Sequence, residues 1–332
     1  MMLTIRENFV ETLKGGKPDR FVNQYEYAEL MLDPVMMHCT GNFVEGTTIV
    51  NDWGVTVAYP VGEPACFPVQ DEEHVLLHDI TEWRTKLHAP DPNKYSAEEW
   101  APIEAQAAAV NRKNQFVSPW FVHGIFEKIH MFLGMEEAMI ALYTEPEEMH
   151  ALIDYLTEWE IEVAKVEMKH YQPDLCFHHD AWGSQRSLFM SPEMFHEFLY
   201  EPYKKIYGFW KANGAEYVVH HSDAYGAELV PQMIEMGIDV FQGATIENNI
   251  PKLLKEYGGK ISIQAGLDNG KFDKQDWTKE GIYNQLDSLI RDTDGGKFLI
   301  PSFTMGGPGT TYPGAYEYAS EAIDQLSKKY FG

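Results

Sequence analysis

Residues 216–243 read EYVVHHSDAYGAELVPQMIEMGIDVFQG and carry most of the information about the fold. The pattern predicts a buried strand at Glu216–His220, then a helical stretch, then a second strand at Ile238–Phe241. The first of these strands runs into the tetrapeptide HHSD, residues 220–223. Reactive side chains of α/β folds gather at the carboxyl ends of the strands, so this order predicts a functional site at HHSD.

The HHSD segment has two interpretations. In the first, His221 and Asp223 are metal ligands or acid/base groups, because imidazole and carboxylate serve both purposes. In the second, Ser222 or Asp223 caps the following helix through its backbone N–H groups, and His221 packs beneath. The residues alone leave both interpretations open.

Outward from this segment, strand-like and helix-like stretches alternate along the chain. Eight strands that alternate with helices in one chain predict an α/β fold, a (β/α)8 TIM barrel, as a single domain over residues 1–332. A doubly wound open sheet is the alternative, but no GxGxxG follows an early strand. The strand candidates are Phe21–Gln24, Val55–Tyr59, Gln115–Pro119, Asp174–His178, Glu216–His220, Ile238–Phe241, Ile261–Ala265 and Lys297–Pro301.

Composition excludes several classes of function. The chain has 332 residues, with 51 acidic against 26 basic side chains and a net charge of −25. Such a surface repels nucleic acid and anionic membranes. No apolar run approaches the length of a membrane helix, the N-terminus lacks a signal-peptide pattern, and the three cysteines form no CxxC pair. We therefore expect a cytoplasmic protein that binds neither nucleic acid nor membrane.

Several segments together resemble the uroporphyrinogen decarboxylase superfamily. The strongest match is DAWGSQ, residues 180–185, followed by SPEMF, residues 191–195. HSD at 221–223 with GID at 237–239 resembles the next strand–helix–strand unit, and NDWGV at 51–55 resembles an early segment of the family. The resemblance spans nearly the whole chain and implies the same barrel.

The superfamily has two main chemical branches, of which one decarboxylates uroporphyrinogen. That substrate carries eight carboxylates and requires arginines at the barrel mouth, especially after the first strand. Residues 21–29 read FVNQYEYAE, with two glutamates and no arginine. A strongly acidic chain of this kind disfavours the decarboxylase branch, and a decarboxylase of a smaller acid remains an alternative.

The other branch contains methyltransferases that work with corrinoid proteins. The resemblance to its thiol-methylating members implies Zn2+ held by a His-x-Cys pair and a later cysteine. Here His221 matches the histidine, Asp223 stands in place of the first cysteine, and residues 300–306 contain no cysteine. Histidine and carboxylate ligands would leave the metal a stronger Lewis acid toward oxygen.

Such a site favours methyl transfer from an ether. The resemblance therefore implies a methyltransferase component of an O-demethylase, which moves a methyl group from a small methoxylated, aromatic substrate to the cobalt of a corrinoid (cobalamin) protein. The alternative within this branch is transfer from methylcobalamin to a thiol or another acceptor.

The candidate site residues follow from strand ends and from this resemblance. For each of them the alternative is a structural role in the core or in a turn. The candidate metal ligands are His221, Asp223, Glu26 and Glu247. The candidate catalytic residues, as proton donors or substrate contacts, are Asp180, His179 and His123. The candidate substrate-binding residues are Gln24, Tyr25, Trp182 and Phe303.

Overall fold

A computed structural model describes residues 2–63 and 65–332. The strands of these ranges are Ala28–Met31 (β1), Thr47–Val50 (β2), Thr56–Tyr59 (β3), Phe67–Pro68 (β4), Phe116–Phe121 (β5), Leu175–His179 (β6), Tyr217–His221 (β7), Val240–Gln242 (β8), Ser262–Leu267 (β9) and Leu299–Phe303 (β10).

The α-helices are Ile5–Lys14 (α1), Pro34–Cys39 (α2), Trp83–Lys86 (α3), Ala97–Ala109 (α4), Ile125–Leu133 (α5), Met135–Thr144 (α6), Pro146–His170 (α7), Pro192–Phe195 (α8), Glu201–Ala212 (α9), Val230–Met236 (α10), Ile250–Tyr257 (α11), Asn269–Phe272 (α12), Lys279–Asp292 (α13) and Ala315–Phe331 (α14).

A curled parallel sheet forms the centre of the molecule, in the order β1-β5-β6-β7-β8-β9-β10. Helices cover its outer face, with α9 on β7, α13 on β9 and α14 on β10. The first and last strands meet through the segment before β1, where the Gln24 backbone N–H donates to the Pro301 carbonyl at 3.3 Å. The predicted TIM-barrel fold is confirmed.

Two of the predicted barrel strands were placed wrongly. The first parallel strand is β1 rather than Phe21–Gln24, which forms no regular strand and contacts β10 through the Gln24 backbone N–H. The predicted strand Val55–Tyr59 belongs instead to a separate antiparallel sheet, β2-β3-β4. Its β-branched and aromatic residues favour a strand, but such a pattern does not specify the partner strand.

The register between β6 and β7 positions the candidate site. His178 lies opposite His220, and His179 lies opposite His221. Successive side chains of a strand point to opposite faces, so the four histidines form two cross-strand pairs on opposite faces of the sheet. One pair faces the barrel interior and the other faces the surrounding helices.

The described residues contain no helix that is both long and apolar enough to cross a bilayer.

Candidate metal centre

Three side chains with ligand-type atoms converge at the carboxyl ends of β6 and β7. The ligand atoms of His179, His221 and Asp223 all lie within 4.8 Å of one another. His179 ends β6, His221 ends β7, and Asp223 follows two residues later. The helix-cap interpretation of Asp223 is wrong, because the next helical turn begins at Ala227 after Gly226, without a side-chain cap.

A hydrogen bond through its Nδ1 atom fixes the orientation of the His221 ring. The amide nitrogen of Gln242 donates to the Thr304 carbonyl at 3.0 Å, so the amide oxygen of Gln242 faces His221 Nδ1. His221 therefore donates its Nδ1 proton to Gln242, which leaves Nε2 with a free lone pair. His221 Nε2 lies 3.9 Å from Asp223 Oδ1. This tautomer is the one that a metal ligand requires.

The His179 ring packs edge-on against His221, with centroids 4.3 Å apart. Its Nε2 atom is buried and has no hydrogen-bond partner among the described residues. Burial, and secondarily the neighbouring His221, lower the pKa of His179 well below its ordinary value. The ring is therefore neutral near pH 7 and keeps a lone pair for a ligand.

The donor set fits a divalent metal ion. Two imidazoles and one carboxylate are ligands that Zn2+ accepts, and a three-residue set leaves a position open for water or substrate. The unpartnered nitrogen of His179 also fits, because buried polar atoms are rarely left without a partner. The three residues would hold the ion at the mouth of the barrel.

The two other candidate ligands lie outside this group in the described part of the chain. The Glu26 carboxylate pairs with Arg20 at 2.5 Å and accepts the Asn23 backbone N–H at 2.7 Å. Glu247 is exposed in a 3₁₀ turn, Ile246–Asn248. A sequence pattern locates a strand end but not the direction of the side chain that follows it.

Asp180 is fully buried and its carboxylate is used in hydrogen bonds. It accepts the backbone N–H groups of Phe126 and Glu127 at 3.0 and 2.8 Å, the Trp182 indole N–H at 3.0 Å, and the Tyr203 hydroxyl. Burial raises the pKa of Asp180, while the Tyr203 hydroxyl and the two N–H donors oppose that rise. These contacts join β6 to the start of α5 and fix the Trp182 turn.

The third catalytic candidate, His123, follows β5. It lies next to the candidate metal ligands His179, His221 and Asp223, which we call the metal group. Its ring centroid is 6.1 Å from that of His179. Burial lowers the pKa of His123 to about 3, so the ring is neutral at physiological pH. A neutral imidazole at this distance can accept or relay a proton but cannot supply a positive charge.

Of the four predicted substrate contacts, Tyr25 is linked to the metal group through Phe177 and Asp223. It is half-buried, its ring is 6.2 Å from Phe177, and the Asp223 carboxylate is among the charges that raise its pKa, after burial itself. Phe177 in turn stacks on His221 at 5.9 Å. These two aromatic rings therefore lie beside the metal group.

The other three predicted substrate contacts are buried in structural roles. Gln24 donates to the Ser320 hydroxyl and the Tyr316 carbonyl, at the junction of the first and last strands. Trp182 stacks on His220, with centroids 3.9 Å apart, and Phe303 is fully buried in the core.

Sequence analysis missed two residues that contact the metal group. One is Gln242, the last residue of β8, which holds His221. The other is Glu127, in the first turn of α5, whose Oε1 lies 3.4 Å from His179 Nε2. Burial raises the pKa of Glu127 well above its usual range, and the nearby Asp180 and Asp223 carboxylates add to the rise. Gln242 is a polar residue at the end of an apolar strand, and this pattern in the sequence could have indicated it as a site residue.

Comparison with known proteins identifies the family. Residues 30–326 match the family described as uroporphyrinogen decarboxylase (URO-D). That range is most of the chain, so this protein belongs to the uroporphyrinogen decarboxylase family, and the resemblance in the sequence motifs is confirmed. The comparison with curated protein sequences gave no match.

Among solved structures, the chain is similar to a methyltransferase from Methanosarcina mazei. The TM-score is 0.66 at 14% sequence identity, over 99% of this chain and 100% of that chain. At this identity the likeness shows a shared fold. A D-psicose 3-epimerase from Clostridium cellulolyticum H10 matches with a TM-score of 0.37 and 12% identity, over 71% of this chain and 85% of that chain, which is too low to support an argument.

Proposed function

We propose that this protein is a corrinoid-dependent methyltransferase that takes a methyl group from a small methoxylated, aromatic compound. The observation that carries the proposal is the convergence of His179, His221 and Asp223 at the barrel mouth. The likeness to a methyltransferase barrel supports the same branch of the family. The acceptor would be the cobalt of a corrinoid carried by a partner protein.

The donor set favours an ether over a thiol as the reacting group. Thiolate ligands give a zinc ion electron density, whereas imidazole and carboxylate leave it a stronger Lewis acid. The cysteines that the structure describes, Cys39, Cys66 and Cys176, stand outside the metal group. When bound, the Zn2+ ion would supply Lewis-acid polarisation of the ether oxygen.

In the proposed transfer, cobalt(I) donates an electron pair to the methyl carbon as the carbon–oxygen bond breaks. The bonding pair leaves with the oxygen, which is released as a phenol after it takes up a proton. His179, His221 and Asp223 would hold the metal, and Gln242 keeps His221 in the required tautomer. Tyr25 and Phe177 offer aromatic faces on which a methoxylated ring can pack.

The distribution of arginines argues against an octa-anionic porphyrinogen as substrate. Such a substrate needs several guanidinium groups at the mouth. Five of the six arginines pair with carboxylates away from the metal group, and the chain as a whole is strongly acidic. These five pairs are Arg6 with Asp174, Arg20 with Glu26, Arg84 with Glu148, Arg112 with Asp174, and Arg291 with Asp287.

The test combines metal analysis with methyl transfer to free cob(I)alamin from a panel of methoxybenzoates and methoxyphenols. Wild-type protein should hold about one zinc per chain, since the described ligands form one site, and should form methylcobalamin. His221→Ala should lose both properties, whereas His74→Ala, which changes an exposed histidine, should keep both. Wild-type protein that neither holds zinc nor methylates cobalamin would contradict the proposal.

A further inference from the structure

We infer that Glu127 is a fourth protein ligand of the metal held by His179, His221 and Asp223. The inference rests on the metal site of the proposed function and extends it to a set of two imidazoles and two carboxylates, with the substrate oxygen entering as a fifth ligand.

The backbone around Glu127 is fixed against the end of β6. The Gly124 N–H donates to the His179 carbonyl at 2.7 Å, and the Glu127 N–H donates to Asp180 at 2.8 Å. A Cβ atom at Gly124 would lie 2.5 Å from the Asp180 side chain, so only glycine permits this close approach. The first turn of α5 is therefore held beside His179, and the Glu127 side chain starts from a defined position.

The Glu127 carboxylate is buried without adequate partners. The residue is 9% exposed, and its Oε2 atom has no hydrogen-bond partner among the described residues. A buried, unpaired carboxylate is costly, and such a group in a native protein calls for an explanation. A cation bound next to the carboxylate would remove the cost.

The approach of Glu127 to His179 has the geometry of two ligands rather than of a hydrogen bond. Glu127 Oε1 lies 3.4 Å from His179 Nε2, yet Nε2 makes no hydrogen bond in the part of the chain that the structure describes. Two ligands of a tetrahedral zinc ion, each about 2.0 Å from the metal, lie about 3.3 Å from each other. The two atoms are thus spaced as ligands that share one ion.

The surrounding charges also call for a cation at this position. The carboxylates of Asp180 and Asp223 lie close enough to Glu127 to raise its pKa. The adjacent Lys128 ammonium is already committed, because it pairs with Glu160 at 3.0 Å and donates to the His123 carbonyl. A divalent ion between Glu127 and Asp223 would balance the two ligand charges.

The experiment places a thiol at position 127 and reads the metal spectrum. Glu127→Cys, loaded with Co2+ in place of zinc, should show a thiolate-to-cobalt charge-transfer band that the Co2+-loaded wild type lacks. Asp223→Cys is the positive reference. Glu167→Cys, which changes another buried glutamate outside the metal group, is the negative control. A band with Asp223→Cys but none with Glu127→Cys would overturn the inference and leave the proposed function standing.

A second variant covers the case in which the cysteine protein fails to fold. Glu127→Gln keeps the shape and removes the charge, and it should bind Zn2+ more than about 100-fold more weakly than wild type, beyond the range typical of residues that only orient a ligand. Zinc affinity within threefold of wild type would overturn the inference. Wild-type protein that binds neither Zn2+ nor Co2+ would instead refute the metal site of the proposed function.

Discussion

The two histidine pairs of β6 and β7 are adjacent in sequence and opposite in character. His178 and His220 face the helices and have complete sets of partners. His178 Nε2 bonds Glu160 at 2.9 Å, and His220 bonds the Tyr207 hydroxyl at 2.8 Å and the Asp180 carbonyl at 3.1 Å.

His179 and His221 face the barrel interior, where His179 Nε2 has no partner among the residues that the structure describes. A fully bonded histidine stabilises the fold, whereas an unpartnered nitrogen next to a carboxylate is available for chemistry. In both strands, one histidine of the His-His dipeptide is held in structural hydrogen bonds, and the other contributes to the candidate metal set.

Replacing one histidine of each pair should separate a role in metal binding from a role in stability. The largest effect is expected on zinc affinity, from the pair that faces the barrel interior. We expect His221→Ala to lower zinc affinity by more than about 1,000-fold, because it deletes a ligand. His220→Ala should leave zinc affinity nearly unchanged and lower the free energy of unfolding by about 2 to 4 kcal/mol, since it removes buried atoms and hydrogen bonds. Zinc titration and urea denaturation of both proteins measure this. An equal loss of zinc affinity in His221→Ala and His220→Ala would show that both histidine pairs contribute to metal binding.

The buried ion pair behind His178 should contribute to stability and not to metal binding. Glu160 is 1% exposed and pairs with Lys128 at 3.0 Å. Glu160→Gln leaves the ammonium buried without a counter-charge, so we expect the free energy of unfolding to fall by about 3 to 5 kcal/mol. Urea denaturation measures the loss.

The control for this variant is Glu158→Gln on the same helix, whose side chain is exposed and pairs with Lys205. It should change stability by less than about 1 kcal/mol. Loss of zinc from folded Glu160→Gln protein would mean that residues on the helix-facing side of the sheet also affect metal binding.

A smaller effect is expected from the residue that orients His221. Gln242→Leu removes the acceptor for His221 Nδ1, and we expect a 10- to 100-fold loss of zinc affinity, roughly what removal of such a supporting contact costs. The matched control is Gln264→Leu on the next strand, which removes the acceptor of the Tyr27 hydroxyl and should retain zinc affinity. Unchanged zinc binding by Gln242→Leu would show that ring orientation is fixed by packing alone.

The smallest effect concerns another buried group, Glu167, which does not belong to the candidate metal set. Burial, followed by the nearby Asp33 carboxyl, raises the pKa of Glu167 well above its ordinary 4.5. A raised pKa stabilises the fold most below pH 4.5, and that contribution is lost as pH rises through the folded-state pKa.

Glu167→Gln cannot ionise, so its stability relative to wild type should improve by about 1.4 kcal/mol between pH 6 and pH 7, the value of one pH unit while folded wild type keeps a proton that the unfolded chain has lost. Urea denaturation at several pH values measures this difference. A difference that stays constant with pH would show that Glu167 does not retain its proton in the folded protein.

The order of strands and helices in the sequence predicted the barrel and the strand end that carries part of the candidate metal set. The alternation of strands and helices predicted the barrel, and HHSD at 220–223 pointed to the group that contains His221 and Asp223. The sequence does not reveal that Asp180 is enclosed by hydrogen bonds, because its donors include groups from α5 and α9. It also could not assign Val55–Tyr59 to the small antiparallel sheet.

Local patterns along the chain indicate where six of the eight predicted barrel strands lie and which polar groups follow them, because hydrophobic periodicity and turn chemistry act over a few residues. They also place successive histidines on opposite faces of a strand, since that alternation belongs to the extended backbone. Which face becomes the interior, and which distant residues meet there, depends on sheet register and helix packing. Glu127 and Gln242 reach the histidines only through those long-range contacts, so folding of the whole barrel selects the chemistry of the site.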